Sequence, residues 1–172
     1  MNSYFRRQLT DYVEYHRDPW NCAMHVFGIV FLFLAAVLPL SLWSFNLFGV
    51  EVNAAVIAVL PVLFYWFLLD LALGAGIFCG AVALLSVASW IVGNVTTTTM
   101  WLLTAVLIVV GIASQTIGHQ VFERRKPSMA DHPTHLLLGP MFVMAKLFIA
   151  LGFRHDLASI IEPPQDSLSY SQ

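Results

Sequence analysis

Three histidines stand where a metal-binding group could form. His16 precedes the first apolar segment, His25 lies near its start, and His119 ends a later apolar segment. Neutral imidazole binds zinc, copper, iron and nickel, and a carboxylate can complete the set of ligands. Two or three histidines with one carboxylate and open positions suit non-haem iron(II) and oxygen chemistry. These residue types predict a metal site and leave the metal open.

An acidic and two amide side chains accompany these histidines. Gln115, His119 and Glu123 follow at intervals of four residues, so they share one face of a helix. Asn21 and His25 are also four residues apart. Glu123 is interpreted as a fourth ligand or as a partner that orients a histidine. Gln115 and Asn21 are candidates for positioning ligands through hydrogen bonds.

Plainer interpretations stand beside these. Glu123 could pair with Lys126 or Arg124 and do nothing else. The last three histidines, His132, His135 and His155, are interpreted as solvated residues of loops or the surface, with His132 also kept as a reserve ligand.

The composition places these residues in a membrane protein. Of 172 residues, 59% are hydrophobic and 10% charged, and the mean hydropathy is +0.77, whereas soluble domains carry about 25% charged residues. We predict an all-α integral membrane fold with four transmembrane helices, because a span needs about 20 apolar residues. The predicted spans cover residues 24–44, 52–69, 71–92 and 100–118.

Two further segments flank these spans. A stripe of Leu9, Tyr12, Val13 and His16 predicts an N-terminal interfacial helix. Asp18 and Pro19 then predict the N-cap and first position of the next helix. Residues 136–152 predict an interfacial or re-entrant helix, with a fifth span as the alternative. Residues 1–162 are expected to form a single multi-pass domain, followed by a disordered tail over 163–172.

The cations predict the orientation. None of them lies between residues 18 and 123, so the positive-inside rule places both termini in the cytoplasm of a four-span protein. The membrane itself, a bacterial inner membrane or an endoplasmic reticulum, is left open. A basic patch with interleaved aromatics is absent, so we expect no nucleic-acid partner. The eight cations are Arg6, Arg7, Arg17, Arg124, Arg125, Lys126, Lys146 and Arg154.

Two sequence segments resemble the signatures of a known family. "YHRDPWNCAMHVFG" is similar to its N-terminal signature, and "QTIGHQVFERRKPSMAD" followed by "LLLGPMFVMAKLFIALGF" to its second one. These are signatures of the iron(II)-dependent 2-hydroxy fatty acid dioxygenases, membrane proteins related to the fungal α-oxidation enzyme of phytosphingosine degradation. The resemblance runs from about Tyr12 to Phe153.

The resemblance implies a site and a reaction. It implies Fe(II) as the cofactor, with 2-hydroxy fatty acid and O2 as substrates, and an acid one carbon shorter and CO2 as products. The residues that fall on the family's histidine, acidic and asparagine positions are His16, His25, His119, Glu123, Asp131 and Asn21.

This chain also departs from the family pattern. Lys146 stands where the family usually has glutamate, Ile29-Val30 replaces a segment that often contains proline, and His132 stands where the fungal form has asparagine. The lysine at position 146 leaves two interpretations open: a substrate that differs from that of the family, or a loss of the activity.

Other classes of function remain as alternatives. A transporter would carry ionisable residues near the midplane of the spans, and this sequence keeps them at the span ends, with Asp70 at a turn. A non-catalytic membrane scaffold and another metal-dependent lipid enzyme, such as a zinc hydrolase, remain possible. The oligomeric state is left open.

Overall fold

The computed structural model describes residues 2–124 and 133–161, which are largely helical. The predicted all-α class is confirmed, with the addition of one short β-hairpin. His132, Asp131 and the predicted tail over 163–172 lie outside the described residues. The helices are α1 (Ser3–Glu14), α2 (Pro19–Leu40), α3 (Ala54–Leu69), α4 (Leu71–Asn94), α5 (Thr97–Ile117), α6 (Gly139–Ala150) and α7 (His155–Ile161).

The break between α1 and α2 follows from Asp18 and Pro19. The Asp18 carboxylate accepts hydrogen bonds from the backbone N–H groups of Trp20, at 2.8 Å, and Asn21, at 3.1 Å. Pro19 occupies the first turn, where its missing N–H costs nothing. The predicted cap is confirmed, and α2 therefore begins five residues before the predicted start of the first span at residue 24.

The β-hairpin joins α2 to α3. Strand β1 (Ser44–Leu47) pairs antiparallel with β2 (Val50–Asn53). The two turn residues, Phe48 and Gly49, both have positive φ, at 53° and 83°, as a type I′ turn requires. The hairpin shows that α2 ends at Leu40, whereas the sequence predicted a span continuing to residue 44.

Three helices of the described chain are long and apolar enough to cross a membrane. They are α2, α4, and α5 with its continuation to Glu123, with mean hydropathies of 2.4, 2.2 and 2.0. Helix α3 is apolar but has 16 residues, and α6 has 12. At 1.5 Å per residue α6 is about 18 Å long, short of the roughly 30 Å hydrocarbon core.

Helices α2 and α5 cross closely because glycines line their contact. A Cβ added at Gly111 would lie 2.7 Å from Leu32 Cγ, and one at Gly28 would lie 2.6 Å from Gln115 Nε2. Small residues at such crossings let apolar helices approach. This close packing brings the start of α2 beside the end of α5.

Helix α5 continues as a π-helical segment, Gly118–Glu123, which ends at Arg124 with φ of 54°. Gly118 has no room for a side chain, because a Cβ there would lie 2.5 Å from Asn21 Oδ1. The wider π turn and this glycine set His119 and Glu123 against α2.

The C-terminal part of the described chain packs on the turn between α3 and α4. Asp70 caps α4 through the backbone N–H groups of Ala72 and Leu73, each at 3.1 Å. The Arg154 guanidinium donates to Asp70 at 2.7 Å and to Asp156 at 2.9 Å. Burial alone would raise the pKa of Asp70, but the hydrogen bonds from Arg154 and Leu73 hold that pKa below its ordinary value.

Candidate metal centre

His16, His25 and His119 meet at one end of the helix bundle, as the metal-site prediction requires. Each imidazole is buried, and one nitrogen from each ring lies within 4.8 Å of the other two. The ring centroids are 4.4 Å apart for His16 and His25, 5.0 Å for His16 and His119, and 4.7 Å for His25 and His119. We call this group the histidine cluster.

Hydrogen bonds orient two of these imidazoles toward each other. His16 Nδ1 lies 2.9 Å from the carbonyl oxygen of Tyr12, and His25 Nδ1 lies 3.1 Å from that of Asn21. A carbonyl only accepts, so each Nδ1 carries the proton and each Nε2 keeps a lone pair. The two Nε2 atoms nevertheless face each other at 3.1 Å. A metal ion bound by both lone pairs would resolve this opposition.

The charge state of His16 suits a ligand. Burial, followed by the neighbouring His25, lowers the pKa of His16 from 6.5 to about 3. The imidazole is therefore neutral at physiological pH, which is the form that binds metals.

After the opposed Nε2 atoms of His16 and His25, His119 supplies a second indication of a metal ion at the cluster. Its Nδ1 is buried and has no hydrogen-bond partner within the described residues. Buried polar atoms are nearly always satisfied, so such an atom calls for an explanation such as an ion. The donor set therefore fits a metal ion, and three imidazoles leave coordination positions for substrates.

Glu123 lies beside the cluster and holds the start of α2. One carboxylate oxygen accepts from the backbone N–H of Arg17 at 3.1 Å. The other accepts from the backbone N–H of Asp18 and from the side-chain amide of Asn21, both at 3.0 Å. Its link to a histidine is indirect, because Asn21 also provides the carbonyl that holds His25.

The two predicted amide side chains take different places. Asn21 is fully buried, and its amide also donates to the Tyr15 carbonyl at 3.3 Å. Gln115 lies above Gly28, with Nε2 3.5 Å from the carbonyl oxygen of His25. Gln115 thus contacts the backbone of His25, whereas Asn21 holds the His25 imidazole through its own carbonyl.

His135 is the site residue that the sequence interpretation missed. It was interpreted as solvated, yet only 2% of it is exposed, so that interpretation is wrong. The 3₁₀ segment Pro133–Leu137 directs its imidazole against Tyr12, with ring centroids 5.5 Å apart. The apolar run that follows His135 was the available signal, since it indicates a buried segment. His155 is exposed, as predicted.

Aromatic and basic side chains pack behind the cluster. Tyr12 stacks on His16 with centroids 4.0 Å apart and planes 7° apart. Lys146 Nζ lies 3.5 Å from Cys22 Sγ and 5.4 Å from the centroid of Phe142. The thiol of Cys22 in turn donates to the His16 carbonyl at 3.4 Å. Lys146 therefore contacts the thiol that binds the backbone carbonyl of His16.

A cavity of about 580 Å³ opens beside the cluster. His25, His119, His135, Gln115 and Tyr12 line it at the end we call the histidine end. Most of its remaining wall is apolar and comes from α2 and α3. This volume lies within the range of about 300–1,000 Å³ that is typical of small-molecule sites.

Comparisons with known proteins identify the family of the chain. The family model "2-hydroxy-palmitic acid dioxygenase Mpo1-like" matches residues 2–151. The chain is 31% identical over 158 residues to "2-hydroxy-palmitic acid dioxygenase MPO1" of Saccharomyces cerevisiae, which covers 91% of this chain and 87% of the yeast protein. No solved structure matches significantly. From the two sequence signatures, the family match over residues 2–151 and the yeast relative, we conclude that this chain belongs to the Mpo1-like family.

Proposed function

We propose that the chain is an iron(II)-dependent dioxygenase that shortens 2-hydroxy fatty acids by one carbon. The observation that carries the proposal is the buried histidine cluster at the end of an apolar cavity. The family and the yeast relative, both named for a 2-hydroxy-palmitic acid dioxygenase, support the substrate class.

His16, His25 and His119 would hold the metal. Bound iron(II) supplies redox chemistry with O2 that amino-acid side chains do not provide. The overall reaction balances without another reductant, because the 2-hydroxy acid and one O2 give the shortened acid, CO2 and water. In that balance the bond between C1 and C2 breaks, C1 leaves as CO2, and C2 becomes the new carboxyl carbon.

The chain's own residues prepare the ligands. The carbonyl groups of Tyr12 and Asn21 fix the Nδ1 protons of His16 and His25, so both Nε2 lone pairs point to one place. Glu123 ties Asn21 to the backbone that follows His16, which keeps the two histidines in register. Such supporting contacts tune and orient metal ligands.

The head group of the substrate would bind among polar groups at the histidine end of the cavity. A 2-hydroxy acid carries a carboxylate and a hydroxyl on adjacent carbons, and both need polar partners once they leave water. His135 and Tyr12 line this end together with His25 and His119. We assign His135 a positioning role for the substrate carboxylate, because an imidazole N–H can donate to it.

A four-span arrangement agrees with the packing. Helix α3 is about 24 Å long. Near its C-terminal end, the indole N–H of Trp66 donates to the backbone carbonyl of Leu137 at 2.7 Å, two residues after His135. Helix α3 thus returns the chain to the histidine end, and α4 and α5 leave and return again. We therefore propose four crossings, with both termini on the cytoplasmic side by the positive-inside rule.

Metal content is the first test. Protein purified in detergent without oxygen should hold about one iron per chain, and His119→Ala should lose it while His155→Ala retains it. The iron-loaded protein should then convert 2-hydroxypalmitic acid to pentadecanoic acid and consume O2. Protein that binds zinc instead and consumes no O2 would contradict the dioxygenase proposal, and protein that binds no metal would favour a scaffold.

A further inference from the structure

The cavity beside the histidine cluster follows one face of α2 for most of its length. The α2 residues that line the cavity follow one another at intervals of one, three or four positions, which places them on one face of the helix. At 1.5 Å per residue, the distance from His25 to Leu40 is about 22 Å. The α2 residues that line the cavity are His25, Ile29, Leu32, Phe33, Ala36, Val37 and Leu40.

The far part of the cavity has fewer walls than the histidine end. Helix α5 and its continuation line the cavity only over the stretch from Ile112 to His119, which is about 11 Å long and lies at the histidine end. The lining residues of this stretch are Ile112, Gln115, Thr116 and His119. Beyond that point the lining comes from α2 and from the first turns of α3, where Ala58, Val59 and Val62 line it. Among the described residues, none that lines this far part is ionisable.

The shape and polarity of the cavity identify the class of occupant. Its polar groups lie together at the histidine end, and its long remainder is apolar, which fits a molecule with a polar head and one alkyl tail. One leaflet of a membrane, filled by ordinary lipid tails, is about 15 Å thick. Ala36 lies 11 residues beyond His25, which is about 16 Å. A tail that reaches Ala36 is therefore as long as the tails of common membrane fatty acids.

We infer that the small side chains of Ala36 and Ala58 let the cavity accept long alkyl chains, so that a bulky residue at either position shortens the longest chain that binds. This inference rests on the proposed function, because it takes the tail of a 2-hydroxy fatty acid as the occupant. The two alanines line the far part from opposite helices, α2 and α3. Both alanines are themselves exposed, and their small side chains leave room in the cavity that a larger residue would occupy.

The expected effect follows from the burial of methylene groups. Each methylene that can no longer be buried weakens binding by about fourfold. A phenylalanine at position 36 or 58 should exclude about two or more methylenes, which makes the loss for a long chain roughly 15-fold or greater. Chains that end before this point should bind as before, because their contacts are unchanged.

The experiment compares Ala36→Phe and Ala58→Phe with the unmodified protein. Ala105→Phe is the matched control, since Ala105 is exposed as Ala36 and Ala58 are, but lies on α5 and does not line the cavity. Iron-loaded proteins are titrated without oxygen with saturated acids from 2-hydroxydecanoic to 2-hydroxydocosanoic acid, and turnover is measured separately in air. Ala36→Leu provides a milder change if the phenylalanine disrupts packing.

The inference is supported if both cavity variants lose the longest acids, keep the shorter ones and retain their iron, while Ala105→Phe matches the unmodified protein. It is overturned if the variants keep the unmodified chain-length profile, which would mean that the tail lies elsewhere or that membrane lipid fills the cavity. Failure of the proposed function looks different, because acids would then bind with the predicted length limit but would not be shortened in air.

Discussion

The carboxylate of Glu123 accepts the side-chain amide of Asn21 at 3.0 Å, although 102 positions separate the two residues. Asn21 also provides the carbonyl that fixes His25, and the other oxygen of Glu123 binds the backbone N–H of Arg17, next to His16. One carboxylate therefore ties the segment after His16 to the first turn of α2, and both to the end of α5.

Glu123→Gln should destabilise the protein and weaken its hold on iron. The neutral amide keeps one acceptor oxygen, but its NH2 group faces a backbone N–H that then lacks an acceptor. Hydrogen bonds to charged groups contribute about 1.5–3 kcal/mol, and supporting contacts change metal affinity by roughly 10–100-fold. Thermal unfolding and iron titration measure the two effects, with exposed Glu51→Gln as the control. Loss of turnover with unchanged stability and iron affinity would place Glu123 in direct contact with the substrate.

His135→Phe should weaken the binding of 2-hydroxy acids while leaving the iron in place. Phenylalanine keeps the aromatic contact with Tyr12 but removes the donor proposed for the substrate carboxylate. A hydrogen bond to a charged group corresponds to roughly 10–150-fold in affinity, so KM should rise in that range. Titration without oxygen and iron analysis check both parts, beside His155→Phe. Iron loss with unchanged substrate affinity would make His135 part of the metal site instead.

Iron(II) should raise the unfolding temperature of the unmodified protein but not that of His119→Ala. A ligand that binds only the folded state stabilises it by about 2.7 kcal/mol at a hundred times its Kd. The opposed Nε2 atoms of His16 and His25 should add to this effect, because the ion relieves their repulsion. Thermal scans without oxygen, with and without iron(II), provide the measurement. An equal response in His119→Ala would show that the iron binds elsewhere.

Acid should weaken the attachment of the C-terminal helices through Asp70. The pKa of Asp70 in the folded protein lies below its ordinary value of 3.8, so the folded state releases this proton more readily than the unfolded chain. The stabilisation is complete well above pH 3.8 and is lost as the pH falls through the lowered folded pKa. Asp70→Asn should be less stable near neutrality and lose less stability on acidification. An acid curve for Asp70→Asn that is identical to that of the unmodified protein would contradict this role.

The sequence predicts much of the fold because apolar composition and local caps act over short distances. The cap at Asp18 was predictable from two adjacent residues, since Pro19 and a carboxylate suffice to start a helix. The end of α2 was not, because the apolar residues after Leu40 enter a hairpin whose turn depends on the positive φ of Phe48 and Gly49. Hydropathy does not distinguish a span from such a turn.

The features of the site likewise divide into those that the sequence predicts and those that depend on contacts between distant residues. The meeting of His16, His25 and His119 agrees with the spacing and the topology, which return the three residues to one level. The apolar run after His135 indicates a buried segment, but no local pattern encodes the contact of its imidazole with Tyr12, which depends on how the 3₁₀ segment folds back. The position of Glu123 at the start of α2 likewise depends on the close approach that Gly118 permits.

The separation of the ligands along the chain also determines when the site can form. His16 and His25 are synthesised about a hundred residues before His119, and α5 must pack on α2 through Gly28 and Gly111 before the third imidazole arrives. During synthesis, the histidine cluster therefore lacks its third imidazole until His119 has been added and α5 has packed on α2. The proposed ion can meet all three ligands only after α5 has packed on α2, so a chain that carries it has, by that fact, brought these two helices together.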